Sequence, residues 1–109
     1  MWKCGVCGYV WDGEEAPDNC PKCNAPKERF TELDEKAMEL VENSRFTNSL
    51  HMQLFSLLEQ VADIAEDGID DNLDPMCVRI FTRALEQAEI LSQSIKAELQ
   101  GHMQKGKWG

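Results

Sequence analysis

Cys4-Gly5-Val6-Cys7-Gly8 and Cys20-Pro21-Lys22-Cys23-Asn24-Ala25 decide how the rest of the chain is read. Each is a C-x-x-C hook, and twelve residues separate Cys7 from Cys20. Two hooks this close in sequence bring four thiolates to one tetrahedral point, a donor set that accepts one iron or one zinc. The residue after each hook's second cysteine needs a left-handed backbone, so that amide groups turn toward the sulfurs. Gly8 meets that need, and Asn24 is the next most tolerant residue type. Pro21 stiffens the second hook.

Outward from the hooks, residues 1–30 hold four of the five cysteines, three of the four prolines and four of the eight aromatic residues. Frequent Gly and Pro between short alternating runs predict tight β-hairpins. Trp2, Tyr9, Trp11 and Phe30 are placed to form an apolar wall around the sulfurs. A segment this short buries too little apolar surface to fold unaided, so a bound metal must contribute to its stability.

After Phe30 the pattern changes to helix. Thr31 and Asp34 read as capping residues, with Glu32 and Glu35 suited to a helix amino end. Leu50, Leu54, Leu57, Val61 and Ile64 form a stripe at helical spacing, widened by Phe55, Leu58, Ala62 and Ala65. The poor helix formers Asn43, Ser44, Thr47, Asn48 and Ser49 allow a kink. Gly68 to Asn72 reads as the end of this helix. Asp74-Pro75 opens another, with Asp as cap and Pro in the first turn. Its stripe is Cys77, Phe81, Ala84, Ala88, Leu91 and Ile95, flanked by Val78, Leu85 and Leu99, and Gly101 marks its end.

The expected organisation is a metal-bound β-hairpin knuckle over residues 1–30 and an all-α antiparallel helical hairpin over 31–103, with a tail at 104–109. The helices fall at about 32–67 and 75–101; the first would be roughly 50 Å long at ~1.5 Å per residue. Two such helices cannot cover each other's wide apolar faces. A homodimer forming a four-helix bundle is therefore expected.

Charge and composition exclude several classes. The net charge is −9 over 109 residues, and phosphate binding needs clustered Lys and Arg, so nucleic acid is not expected. The acids concentrate in the helical part: residues 31–109 carry seven positive and fifteen negative side chains, against four and five in residues 1–30. No apolar run is long enough for a membrane span, and Met1-Trp2-Lys3-Cys4 does not begin a secretory signal. The cytoplasm is the expected location, where cysteines favour metal over disulfides.

Cys4-x-x-Cys7-Gly8-Tyr9, Gly13-Glu14-Glu15-Ala16-Pro17, Cys20-Pro21-x-Cys23 and Ala25-Pro26-Lys27 with Phe30 together resemble the rubredoxin-like module of rubrerythrins. The short spacer between hooks fits that module better than free-standing rubredoxins. The rubredoxin-first order is that of reverse rubrerythrins. The resemblance implies one iron per chain held by Cys4, Cys7, Cys20 and Cys23, cycling between ferric and ferrous states in one-electron transfer. Asn24 stands where the family usually has glycine. Redox partners such as a reductase or a peroxidase, and a link to oxidative-stress defence, follow from the same resemblance.

Rubrerythrins also carry a di-iron four-helix bundle, which the helical part here resembles distantly at Asn43-Ser44-Arg45 and Leu50-His51-Met52. The ligands do not carry over. Such a site needs Glu-x-x-His pairs, and the residues three before His51 and His102 are Asn48 and Leu99. No nucleophile is paired with a base, so an electron carrier is expected rather than an enzyme. Zinc in the same four thiolates would make a structural interaction module instead.

The remaining candidates have ordinary readings. His51 shares a face with Leu54, Phe55 and Leu58 and is expected to be a hydrogen-bonded interior histidine. The sharper alternative has two copies of His51 meeting in a dimer and binding haem or a metal. His102 is expected at the surface near the tail. Cys77 is expected to be an inert packed thiol, although its place near a helix amino end would favour a lowered pKa. Asp63, Glu66, Asp67, Asp70, Asp71 and Asp74 lack the ligand order of a calcium loop and read as a solvated turn.

Overall fold

The computed structural model describes residues 1–109. In chain order it contains β1 (Trp2–Cys4), β2 (Val10–Trp11), one turn of 3-10 helix (Lys27–Arg29), β3 (Phe30–Glu32), α1 (Glu35–Asp71) and α2 (Pro75–Gln104). These make two compact units. One comprises Met1–Arg45 with Lys105–Gly109, the other Phe46–Gln104.

In the first unit β1 is the centre of a three-stranded antiparallel sheet ordered β2-β1-β3. Trp2 pairs with Trp11 on one side and Glu32 on the other, and Cys4 pairs with Phe30. Strands of two and three residues do not hold a sheet by themselves. The buried core beneath them is Cys4, Ala16, Cys20 and Phe30, ringed by Trp2, Tyr9 and Trp11. The expected aromatic wall is thus present, and half of the buried core beneath the sheet is cysteine.

The two indoles also fix the spacer between the hooks. Trp2 Nε1 donates to the Glu14 carbonyl at 3.0 Å and Trp11 Nε1 to the Glu15 carbonyl at 2.9 Å. Gly13 is needed for this arrangement, because a Cβ there would lie 2.2 Å from Trp11 Nε1. Thr31 and Glu32 belong to β3 rather than to a helix start, since they pair with Lys3 and Trp2. The cap of α1 is Asp34, whose Oδ1 accepts the Ala37 N–H at 2.8 Å.

α1 runs 37 residues without interruption. The poor helix formers are accommodated by back-bonding: Ser44 Oγ donates to the Val41 carbonyl at 3.0 Å and Ser49 Oγ to the Phe46 carbonyl at 2.9 Å. Gly68 lies inside the helix, and the left-handed residue that ends it is Asn72, with φ of 49°. The glycine serves packing instead. A Cβ at Gly68 would lie 2.3 Å from the Phe81 ring, so the aromatic side chain rests directly on the α1 backbone. α2 likewise passes Gly101, where an added Cβ would meet nothing within 4 Å, and ends at Gln104.

In the second unit Gly68 meets Phe81 and Asn48 meets His102, so α1 and α2 run antiparallel. Their shared seam is Leu58, Ala88 and Ile95, with Phe55, Ala62 and Leu99 packed beside it. The sequence stripe of Leu50, Leu54, Leu57, Val61 and Ile64 is not this seam. These five residues and Phe46 are 40–74 % exposed. One residue further round the helix, at ~100° per residue, the narrower line of Phe55, Leu58, Ala62 and Ala65 faces α2. A helix with one neighbour buries only one of two adjacent apolar lines.

Candidate metal centre

The two hooks have the same backbone plan. Cys4 N–H donates to the Tyr9 carbonyl and Gly8 N–H to the Cys4 carbonyl, at 2.8 and 2.9 Å. The second hook repeats this with Cys20 N–H to Ala25 and Asn24 N–H to Cys20, at the same two distances. Gly8 and Asn24 occupy equivalent positions with φ of 79° and 61°. Asparagine therefore performs the left-handed turn that glycine performs in the other hook.

This plan gathers four sulfurs. Cys4, Cys7, Cys20 and Cys23 have ligand atoms all within 4.8 Å of one another. Cys4 Sγ lies 3.7 Å from Cys23 Sγ, and Cys7 Sγ lies 3.6 Å from Cys20 Sγ. All four are free thiols. A tetrahedron with metal–sulfur bonds of ~2.3 Å has sulfur–sulfur edges of ~3.8 Å. The donor set and its spacing therefore fit one tetrahedral metal ion.

The electrostatics favour thiolate at Cys4 and Cys20 and oppose it at Cys23. The amide of Cys7, followed by that of Val6 and by the neighbouring thiols of Cys23 and Cys7, brings Cys4 down to about 7 against the opposing effect of burial. At Cys20 burial pushes upward, but the amides of Cys23 and Lys22 hold the thiol below its ordinary value. Cys23 receives the Ala25 amide, yet burial and the three neighbouring thiols push it up to about 12. Four thiols this close cannot all ionise without a cation between them. The first cysteine of each hook, Cys4 or Cys20, is buried. Of the second cysteines, Cys7 is half-buried and Cys23 exposed.

The rubrerythrin rubredoxin-like domain family matches residues 2–31. Residues 2–31 form a rubredoxin-like domain of the rubrerythrin type. Reverse rubrerythrin-1 of Clostridium acetobutylicum is 49% identical over 35 residues, which are 32% of this chain and 19% of that protein. Rubrerythrin of Clostridium perfringens is 53% identical over 30 residues, 28% of this chain and 15% of that protein. Rubrerythrin of Nitratidesulfovibrio vulgaris is 52% identical over 29 residues, 27% of this chain and 15% of that protein. The chain thus spans less than a fifth of the length of these curated relatives. No solved structure matches the chain. The rubredoxin-like domain with its four-cysteine cluster supports a metal-binding role, and the helices that follow it lie beyond the matched family segment.

Other candidate residues fall elsewhere. His51 is half-buried, its ring in an edge-on contact 6.1 Å from that of His102. His102, expected at the surface, has a side chain only 12% exposed. Its Nδ1 lies 2.6 Å from Asn48 Oδ1 and its Nε2 3.1 Å from Glu98 Oε1. α2 carries His102 inward because the helix continues past Gly101. Cys77 sits at the amino end of α2 beside the cap Asp74, whose Oδ1 accepts the Cys77 N–H at 2.8 Å. Hydrogen bonding to the Asp74 carboxylate, and then burial, raise the thiol rather than lower it, which argues against a reactive cysteine.

Sequence reasoning missed the role of residues 105–109, which pack in the first unit. The available signal was Trp108 between Lys107 and Gly109, an aromatic residue in a segment otherwise read as tail.

Proposed function

We propose that this protein is a one-electron carrier whose iron is held by Cys4, Cys7, Cys20 and Cys23. The observation that carries this reading is the four-thiol cluster built on two equivalent hooks within a rubredoxin-like domain. Iron bound there supplies a single reversible step between ferric and ferrous states. The protein's own part is to hold the sulfurs rigidly and to direct amide N–H groups at Cys4 and Cys20. Those N–H groups stabilise negative charge on sulfur and so favour the reduced site. The exposed Cys23 gives a partner an approach to the centre.

The redox partners in this reading are a reductase and a peroxide-detoxifying protein, placing the carrier in oxidative-stress defence. No helix is long and apolar enough to cross a membrane. A cytoplasmic location belongs to the same reading, since reducing conditions keep thiols available for metal. Metal analysis of protein from its native host tests the assignment: iron with a reversibly bleachable colour supports it, and zinc in a colourless protein replaces it with a structural module.

The helical unit is read as the dimerisation element. Phe46, Leu50, Leu54, Leu57, Val61 and Ile64 form one exposed apolar line on α1, and Leu73, Met76, Ile80 and Leu91 are exposed around α2. A stable interface buries on the order of 1,000 Å² or more, and these faces of two copies offer the apolar surface for one. A second copy of this chain, completing a four-helix bundle, is the proposed occupant.

A further inference from the structure

The hooks are equivalent in backbone, yet Cys7 is half-buried and its counterpart Cys23 is exposed. On the Cys7 side lies a segment distant in sequence. The chain leaves the first unit at Arg45 and returns to it at Lys105. Gly106, with φ of 73°, turns it, and Lys107, Trp108 and Gly109 follow. Trp108 is half-buried and, with Cys7, Gly8, Tyr9 and Lys22, lines a concavity of about 340 Å³ beside the first hook.

Arg45 fastens this segment. Its Nε donates to the Gly109 carbonyl at 2.7 Å and its Nη2 to Asp12 Oδ1 at 2.9 Å. Asp12 directly follows β2, so one guanidinium ties the segment to the sheet edge next to the first hook. The fit is close. A Cβ at Gly109 would lie 2.6 Å from Val10 Cγ2 and 3.0 Å from Val41 Cγ1. A planar guanidinium with donors in a fixed fork suits this two-point grip better than a lysine would.

We infer that residues 105–109 are a strap that screens the Cys7 side of the metal centre, with Trp108 as the positioning residue and Arg45 as its clasp. The inference rests on metal ligation by the four cysteines. The indole forms one wall of that concavity and so narrows the access of water and small chelators to the Cys7 sulfur, while Cys23 is left exposed. Removing the indole widens the concavity and admits more water on that side. Greater hydration stabilises the more highly charged ferrous tetrathiolate, so the midpoint potential should rise.

The test compares full-length wild type with Trp108→Ala, Arg45→Ala and Trp108→Phe, each loaded with zinc and challenged with excess chromogenic chelator. The two alanine variants should release zinc faster by on the order of tenfold, as loss of an outer-shell neighbour does elsewhere, and Phe should restore most of the retention. The iron-loaded Trp108→Ala protein should also show a raised midpoint potential with an intact ferric spectrum. Release at the wild-type rate in both alanine variants, with an unchanged potential, would overturn the strap. A wild type that takes up no metal would instead overturn ligation itself.

Discussion

His102 Nδ1 lies 2.6 Å from Asn48 Oδ1, across 54 residues of chain and in a seam that is otherwise largely apolar. Asn48 is 4% exposed, so its amide has little access to water as a substitute partner. Polar pairs in helix seams fix register, because any slip leaves both groups unsatisfied. Asn48→Ala should destabilise the second unit by about 1–3 kcal/mol, read from urea unfolding followed by circular dichroism. The double variant Asn48→Leu with His102→Leu should recover much of that loss. If it does not, the pair is not the source of the effect.

Gly68 should gain nothing from a methyl group. Alanine normally improves a helix interior by about 1 kcal/mol over glycine, but here its Cβ would enter the Phe81 ring. Overpacking of this kind costs about 1–3 kcal/mol, so Gly68→Ala is expected to be neutral to destabilising despite its better propensity. Adding Phe81→Leu should relieve the overlap. A plain gain in melting temperature from Gly68→Ala alone would contradict the contact.

The exposed line on α1 gives a prediction for assembly. Leu57 is 57% exposed, and in the proposed dimer it lies within the interface. Leu57→Glu should shift the protein from dimer to monomer in sedimentation velocity, with the metal centre's spectrum unchanged. A wild type that sediments as a monomer at high micromolar concentration would exclude the second copy as the occupant of this face.

Metal removal should act on the first unit alone. Its sheet is minimal and two of its four buried core residues are cysteines of the proposed metal site, so loss of the ion should unfold the sheet. Tryptophan fluorescence from Trp2 and Trp11 should change, while helical ellipticity is largely retained. Metal binding should also strengthen with rising pH. Cys23, pushed up to about 12, carries its proton at neutral pH without metal, whereas Cys4 is brought down to about 7 and loses its proton more readily. Metal must displace the remaining protons, so affinity should be lower at pH 6 than at pH 8. Competition titrations at the two values check the sign.

Much of the metal centre was legible in the sequence because its determinants are local. Hook spacing, the left-handed positions at Gly8 and Asn24, and the aromatic wall all act within 30 residues of one another. The helices were legible as elements, but not in phase. Periodicity shows that α1 has apolar lines at Leu50–Ile64 and Phe55–Ala65; it does not say which one α2 covers. Gly68 looked like a terminator because its partner Phe81 is on another helix. The strap escaped for the same reason, since Trp108 acquires meaning only through Arg45, Asp12 and the first hook.

The ion in the four-cysteine site is identified by reductive titration of natively purified protein, with iron quantified per chain. The protein should hold one iron per chain, with a ferric thiolate absorption that bleaches with one electron per iron and returns in air. Colourless protein holding zinc, or an iron content near three per chain, would contradict this.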